Sequence, residues 1–204
     1  MTLGLLGVAV LAYGLTAGFY PRFYTLEWDE DVQLHDGRVI VVHMRHTYER
    51  RHMGFSRYAD AYSRDTEMRF DAGAPTGPVT QLFKGYHPFF LGHYDGEWYV
   101  TLYGSPYGRS DEMPGQDWRR HAHGCPPSAA LVQGRFEPIP QKDLPAVFKT
   151  PNILVLDGEP AELAQFDGRH LSLQDKAVWL QAHPGDPYSV KICRLHTVPV
   201  PAQV

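Results

Sequence analysis

The residues whose types and spacing are best suited to chemistry are two histidines and a cysteine at alternating positions, His121, His123 and Cys125. On an extended strand, alternate side chains point to the same face, so two imidazoles and a thiol would converge there. This donor set suits Zn²⁺ or copper, although a complete site needs further ligands. The sequence offers candidates for those ligands elsewhere in the chain: His87, His93, Asp111 and His196. The cluster therefore predicts a metal-binding protein or a zinc metalloenzyme as one function, and an exposed loop with a structural cysteine as the alternative interpretation.

Cys125 and Cys193 are the only cysteines in the chain. Outside the cytoplasm such a pair is compatible with one disulfide bond, whereas in the cytoplasm both thiols would stay reduced. The motifs of common catalytic sites do not occur, since the chain has no Gly-x-Ser-x-Gly elbow, no Cys-x-x-Cys pair and no glycine-rich phosphate loop. These observations favour a non-catalytic binding or accessory module without a cofactor over an enzyme.

An aromatic-rich segment, residues 83–107, indicates a second kind of site. In a half-buried sheet, about half of these rings face the core, and the others are available to a glycan, a peptide or a protein. The predicted contact residues for a partner protein of the envelope are Trp98, Tyr99, Tyr103 and Tyr107. The alternative is that these rings only stabilise cross-strand pairs.

Three further histidines, His43, His46 and His52, lie in or after a predicted strand. An odd spacing places His43 and His46 on opposite faces of a regular strand, which makes them poor co-ligands. All three are predicted to face solvent.

The first twenty residues indicate where the protein sits. From Leu3 to Tyr20 there are 18 consecutive residues without a charge. As a helix they would cover about 27 Å, close to the thickness of a bilayer core. The sequence therefore predicts a membrane anchor in residues 1–22, with residues 3–20 spanning the cytoplasmic (inner) membrane once and the following domain in the periplasm. A cleaved signal peptide and a buried core helix stay open as alternatives.

Size and charge narrow the class of protein. The 182 residues after the anchor, 23–204, fit a single domain that can bury a core without disulfide bonds. The formal net charge of −4 provides no basic field, so a nucleic acid is not an expected partner.

Turn and strand patterns predict a mainly β (α+β) domain of antiparallel hairpins with one C-terminal helix. Asp-Gly is a strong hairpin signal, because both central residues of the turn need a positive φ. It occurs four times, at residues 36–37, 95–96, 157–158 and 167–168. Predicted strands flank these turns or alternate apolar and polar residues, at 32–34, 39–44, 64–70, 79–83, 86–94, 98–103 and 153–156. Residues 104–127 are rich in Gly, Pro and charge and read as a long loop.

The helix is predicted from its start signal and its apolar spacing. Ser172 followed by Asp175 resembles a capping box. Leu173, Ala177 and Leu180 would then form the buried face.

Several short patterns resemble those of small membrane-anchored bacterial proteins to which no function is assigned. They cover about two-thirds of the domain: Trp28, Val32, Leu34 with residues 36–38; residues 134–137 with Ile139 and Pro140; Leu144 and Pro145; residues 152–154; and Leu171, Ser172 and Lys176. The resemblance implies a bacterial envelope protein and carries over no site residue.

Overall fold

The computed structural model describes residues 23–52, 59–104, 127–156 and 163–182, and within these ranges the protein is mainly β. The described strands are β1 (Phe23–Gln33), β2 (Val39–His52), β3 (Ala59–Asp71), β4 (Pro78–Lys84), β5 (Tyr86–Tyr94), β6 (Glu97–Gly104), β7 (Ser128–Val132), β8 (Arg135–Ile139) and β9 (Arg169–Leu171). One α-helix, α1 (Leu173–Ala182), follows β9. The strands form a five-stranded sheet in the order β4-β3-β2-β1-β9 and a four-stranded sheet in the order β5-β6-β7-β8. The prediction of a β-rich domain with one C-terminal helix is confirmed.

Tight turns set the register of the hairpins. Asp36-Gly37 connects β1 to β2, and Asp95-Gly96 connects β5 to β6 with φ angles of 52° and 81°. Gln133-Gly134 makes a similar turn between β7 and β8, with φ angles of 50° and 80°. This third hairpin was not predicted from the sequence, because Gln is not a typical residue at φ > 0. Asp167-Gly168 leads into β9 as predicted, and Asp157-Gly158 lies outside the described residues.

One strand pairing departs from the predicted antiparallel pattern. β9 lies parallel to β1, with Arg169–Leu171 opposite Trp28, Asp29 and Glu30. This pairing brings the start of α1 to the middle of β1.

The inward-facing residues of the two sheets form one hydrophobic core. On β1 to β4 every second residue is buried, as in Trp28, Met44, Met68 and Phe83. The four-stranded sheet is covered on both faces, so the run of β5 from Tyr86 to Gly92 is buried throughout. The five-stranded sheet covers one of these faces, and residues 140–156 cover the other.

A second aromatic cluster holds residues 140–156 against the four-stranded sheet. Phe148 is 2% exposed and packs on Phe90 and Tyr99, with ring centres 4.7 and 5.6 Å away. Gly92 lies below it, and a Cβ there would come within 2.6 Å of the rings of both Phe148 and Phe90. Residues 153–156, predicted as a strand, are buried but do not belong to a sheet. Their backbone N–H groups at Ile153 and Leu154 donate to the Phe89 carbonyl of β5 and to the Glu30 side chain, not to a neighbouring strand.

The helix begins where the sequence predicts it but buries a different face. The Asp175 carboxylate accepts hydrogen bonds from the Ser172 N–H (2.9 Å) and hydroxyl (2.7 Å), and the Asp175 N–H donates to the Ser172 Oγ at 3.2 Å. The predicted apolar face is wrong: Leu173 and Ala177 are exposed and Leu180 is only half-buried. Lys176 is the buried residue of α1, because its ammonium group forms an ion pair with a carboxylate in the core.

Among the described residues, no helix is long and apolar enough to cross a membrane. The predicted anchor, residues 1–22, and most of the predicted loop, residues 105–126, lie outside them.

Candidate functional site

A buried ion pair joins β1 to α1. Lys176 Nζ lies 2.6 Å from Glu30 Oε2, and the two side chains are 7% and 0% exposed. Nζ also donates to the carbonyl oxygens of Asp31 (2.8 Å) and Asn152 (2.5 Å). These acceptors match the three N–H donors of an ammonium group. Lys176 is therefore held as a cation, and its nitrogen has no lone pair with which to act as a nucleophile.

The carboxylate of Glu30 is equally well surrounded. It accepts hydrogen bonds from the Leu154 N–H (3.0 and 3.3 Å) and from the Trp28 Nε1–H (3.4 Å). Burial raises the pKa of Glu30, while Lys176 and the two N–H donors act in the opposite direction. Removing either charged partner would leave the other buried without compensation.

Asn152 completes this junction by covering the edge of β5. Its Oδ1 accepts from the Leu91 N–H at 2.8 Å, and its Nδ2 donates to the Leu91 carbonyl at 2.7 Å. Nδ2 also donates to the Gln33 carbonyl at 3.0 Å. The side-chain amide thus takes the place of a neighbouring strand on β5, which protects an exposed sheet edge from foreign strands. Together these contacts hold β1, β5, α1 and residues 152–156 against one another.

A pair of buried histidines meets between the two sheets. His46 of β2 and His87 of β5 have ring centres 5.0 Å apart and are 0% and 1% exposed. Thr66 Oγ1 lies 2.6 Å from His87 Nδ1, and the Tyr48 hydroxyl lies 3.3 Å from His46 Nδ1. The indole of Trp28 packs on His46 at 4.6 Å. The prediction that His46 faces solvent is therefore wrong, whereas the opposite orientation of the half-exposed His43 is confirmed.

Hydrogen bonding fixes the tautomer of neutral His46. The Tyr48 hydroxyl donates its proton to the Leu156 carbonyl at 2.8 Å. Its oxygen must then accept from the Nδ1–H of His46, which leaves Nε2 as a bare acceptor. This Nε2 is buried and has no hydrogen-bond partner within the described ranges. His46 therefore holds an unused lone pair in the core.

Both imidazoles are neutral at pH 7. Burial lowers the pKa of His46 well below 6.5, and a positive charge on His87 would lower it further. Burial also lowers the pKa of His87, to about 4. Because burial disfavours the charged form of each ring, a proton on either one would destabilise the folded protein.

The histidine pair predicts that acid destabilises the metal-free protein. The unfolded chain binds a proton at each histidine near pH 6.5, but the folded chain does not bind one at His87 until about pH 4. Lowering the pH from 7 to 5 should therefore reduce the free energy of unfolding by about 2 kcal/mol for His87, and His46 should add to this loss in the same direction. The raised pKa of Glu30 acts in the opposite direction and offsets part of this loss. Urea unfolding of the full-length protein in EDTA, at pH 7, 6 and 5, measures the slope.

The matched variants for this experiment are His87→Gln and His170→Gln. His87→Gln should show a smaller dependence on pH than the unsubstituted protein. His170 is 49% exposed beside Asp31, so His170→Gln should keep the larger dependence. Equal slopes for all three proteins would contradict the assignment of the acid sensitivity to the buried pair.

A third group of polar side chains lies where the β1–β2 and β5–β6 turns meet. Arg38 Nη2 donates to His93 Nδ1 at 2.9 Å, and Arg38 Nε pairs with Asp36 Oδ2 at 2.7 Å. The ring of His35 packs on Tyr94, with centres 5.7 Å apart. The exposed side chains His35, Arg38 and Tyr94 are here named the tip; Arg38 is 54% and Tyr94 42% exposed.

The predicted aromatic contact surface is largely buried. Trp98 is 5% exposed, packs on Phe70 at 4.8 Å and donates its indole N–H to the Ala72 carbonyl at 3.1 Å. Tyr99 is 9% exposed beneath Phe148. The expectation that Trp98 and Tyr99 are exposed is wrong, because Trp98 packs against the five-stranded sheet and residues 140–156 cover the opposite face, where Tyr99 lies. Tyr103 is half-buried, so a contact role for it stays a prediction, and Tyr107 lies outside the described residues.

The predicted metal cluster and disulfide cannot be located in the fold. His121, His123, Cys125 and Cys193 lie outside the described residues, as do the candidate ligands Asp111 and His196. The described ranges contain no group of three or more His, Cys, Asp or Glu residues that could hold a metal ion. Two other candidates, His87 and His93, are directed to different partners, His87 to His46 and His93 to Arg38.

In the described part of the chain, the fold is β-rich with two sheets, and a helix is docked on it through a buried ion pair. No family model, curated protein or solved structure matches the chain. The resemblance to small bacterial membrane-anchored proteins therefore stays a prediction.

Proposed function

We propose that this protein is a single-pass membrane protein of the bacterial inner membrane, whose β domain faces the periplasm and works as a non-catalytic binding or accessory module. The uncharged residues 3–20 would form the anchor. We further propose that the tip, His35, Arg38 and Tyr94, is the surface that contacts an envelope protein.

The observation that supports this proposal is that the tip lies at the opposite end of β1 from Phe23, where the proposed anchor would join the domain. The uncharged segment ends at Tyr20, and β1 begins at Phe23, so the domain would start at the membrane surface. β1 has 11 residues, which extend about 33 Å from Phe23 to Gln33. The tip lies beyond Gln33, at the end of β1 that would point away from the membrane.

The chemistry of the tip supports a protein partner. Tyr and Arg are the residue types that most often dominate the binding energy of interfaces. Arg38 is held by Asp36 and His93, so it would lose little side-chain freedom on binding. Tyr94 is likewise packed on His35.

Photo-crosslinking in intact cells tests this contact. A photoreactive phenylalanine analogue at Tyr94 should give a discrete adduct with an envelope protein. The same analogue at Val178, which is 60% exposed on α1, is the matched control and should give none. Tyr94→Ala combined with Arg38→Ala should reduce co-purification of the identified partner at least 10-fold without changing the unfolding midpoint. Equal adducts at both positions, or none at Tyr94, would contradict the proposed surface.

Topology is tested separately with a C-terminal tag in intact spheroplasts. Full-length, membrane-bound protein whose tag is removed by external protease supports the uncleaved anchor and the periplasmic domain. A protected tag would place the domain in the cytoplasm, and a shortened soluble product would indicate a cleaved signal peptide.

A further inference from the structure

We propose that His93 makes the tip sensitive to acid, so that protonation of its ring releases Arg38 and weakens the contact with the envelope partner. This inference rests on the proposed function, because it concerns the regulation of the same surface. It is carried by the hydrogen bond between Arg38 and His93, by the packing of the His93 ring and by the charged groups around that bond.

The hydrogen bond between Arg38 and His93 exists only while the His93 ring is neutral. Arg38 Nη2 lies 2.9 Å from His93 Nδ1. A guanidinium group has donors and no acceptor, so Nδ1 provides a lone pair and the single ring proton lies on Nε2. A second proton can bind only at Nδ1, where it would point at the Arg38 nitrogen. Protonation of His93 therefore replaces a hydrogen bond with the repulsion of two positive charges.

Packing determines which of the two side chains moves in response. The His93 ring packs on the indole of Trp98, with ring centres 4.9 Å apart. Trp98 is itself 5% exposed and donates its indole N–H to the Ala72 carbonyl at 3.1 Å. Arg38 has a long side chain that is 54% exposed. The guanidinium group of Arg38 is therefore the group that leaves when His93 is charged.

The charged and titratable groups that face His93 come from the β1–β2 turn, and they are Arg38, Asp36 and His35. On β6 the ring packs on Trp98, which does not titrate. Partial burial and the neighbouring Arg38 and His35 lower the pKa of His93 from 6.5, whereas Asp36 acts in the opposite direction. His93 is therefore neutral at pH 7 and takes up its second proton only in acid.

The release of Arg38 lowers the order of the tip before binding. At pH 7 the guanidinium group is held on two sides, by Asp36 at Nε and by His93 at Nη2. After protonation of His93 only the contact with Asp36 remains. Arg38 then has to be ordered again when the partner binds, and the lost side-chain freedom reduces the affinity.

The charge of the surrounding turns gives the change the same sign. Residues 34–38 and 93–98 hold three exposed carboxylates, Asp36, Asp95 and Glu97, against the one guanidinium group of Arg38. A partner surface that complements them at pH 7 is basic. Positive charge that acid adds at His93 opposes such a partner, so both effects weaken the contact.

Nitrogen NMR of the full-length protein tests the response of Arg38 without a partner. The ring nitrogens of His93 and the side-chain nitrogens of Arg38 are recorded between pH 7.5 and pH 5. At pH 7.5, Nδ1 of His93 should give the resonance of a bare nitrogen and Nε2 that of an N–H group. The Arg38 resonances should then shift with the same midpoint as the His93 ring. A proton on Nδ1 at pH 7.5, or Arg38 resonances that do not follow His93, would overturn the proposal.

Crosslinking tests the effect on the partner. With the photoreactive analogue at Tyr94, intact cells suspended at pH 5 should give at least about 5-fold less adduct than cells at pH 7.5. His93→Asn places a neutral oxygen near the position of Nδ1, so this variant should give equal yields at the two pH values. His170→Gln, which replaces an exposed histidine of β9 beside Asp31, is the matched control and should keep the loss.

The outcomes distinguish this proposal from the proposed function. An absence of adduct at both pH values contradicts the contact surface itself. Equal yields in the unsubstituted protein keep the surface and overturn the role of His93. A loss that persists in His93→Asn also overturns it, because that variant retains the buried pair His46 and His87 and would reveal a loss caused by acid unfolding.

Discussion

Replacing Lys176 with methionine should lower the free energy of unfolding by about 3 to 5 kcal/mol, because it leaves the carboxylate of Glu30 buried without a counter-charge. Glu30 is 0% exposed, and the remaining donors on it are the Leu154 and Trp28 N–H groups. Methionine keeps the length and apolar stem of lysine, so the loss reports on the charge. The measurement is urea unfolding at pH 7, followed by tryptophan fluorescence.

A double-substitution cycle separates the ion pair from the packing of the helix. Glu30→Gln keeps an oxygen that can accept from the Leu154 N–H, so Glu30→Gln combined with Lys176→Met should cost less than Lys176→Met alone. The matched control is Ala177→Met, which adds the same apolar side chain at an exposed position of α1 and should change stability by no more than about 0.5 kcal/mol. If the double variant is as unstable as the sum of the single variants, the two side chains are not coupled.

Phe148→Ala is the second substitution with a large expected effect. The ring is 2% exposed and fills the space between residues 140–156 and the four-stranded sheet, in contact with Phe90 and Tyr99. Removing a buried phenylalanine costs about 3 to 5 kcal/mol through lost burial and the cavity that remains. Urea unfolding should show this loss, whereas Val147→Ala, at the adjacent 38% exposed position, should have little effect. A small loss of stability in Phe148→Ala would mean that this ring does not hold residues 140–156 on the sheet.

Gly92 provides an independent check of the same contact. A methyl group at this position would lie 2.6 Å from ring carbons of Phe148 and Phe90, so Gly92→Ala should destabilise the protein by about 1 to 3 kcal/mol. In the Phe148→Ala background one of the two clashing rings is gone, so the added methyl group should cost less there. Strict additivity of the two substitutions would contradict the close approach of Phe148 to Gly92.

Local sequence signals predicted the parts of the fold that depend on neighbouring residues. Asp95-Gly96 adopts the two positive φ angles that its residue types favour, and it defines the β5–β6 hairpin. Ser172 and Asp175 form the cap that starts α1. The predicted strands at residues 39–44 and 79–83 lie within β2 and β4. In each case the interactions that decide the conformation lie within a few residues of one another in the chain.

The candidate sites were harder to predict, because their burial depends on segments far away in the sequence. The aromatic pattern of β6 does not reveal that residues 140–156 cover Tyr99. The tip is formed by two turns that are more than fifty positions apart, and its exposed aromatic ring is Tyr94, not Trp98. His46 and His87 are separated by 41 positions and come together only because the two sheets pack face to face.

By itself, the sequence determined the β-rich class, the positions of the main hairpins and the start of the helix, since turn preferences, alternation and capping act over short stretches of chain. The tertiary structure decided which polar groups are buried and with which partners. The periodicity of α1 predicted an apolar face, but Lys176 is the buried residue because Glu30, 146 positions earlier, offers it a carboxylate inside the core. A buried charge is stable only when a partner is supplied from elsewhere in the fold, and no local pattern contains that information.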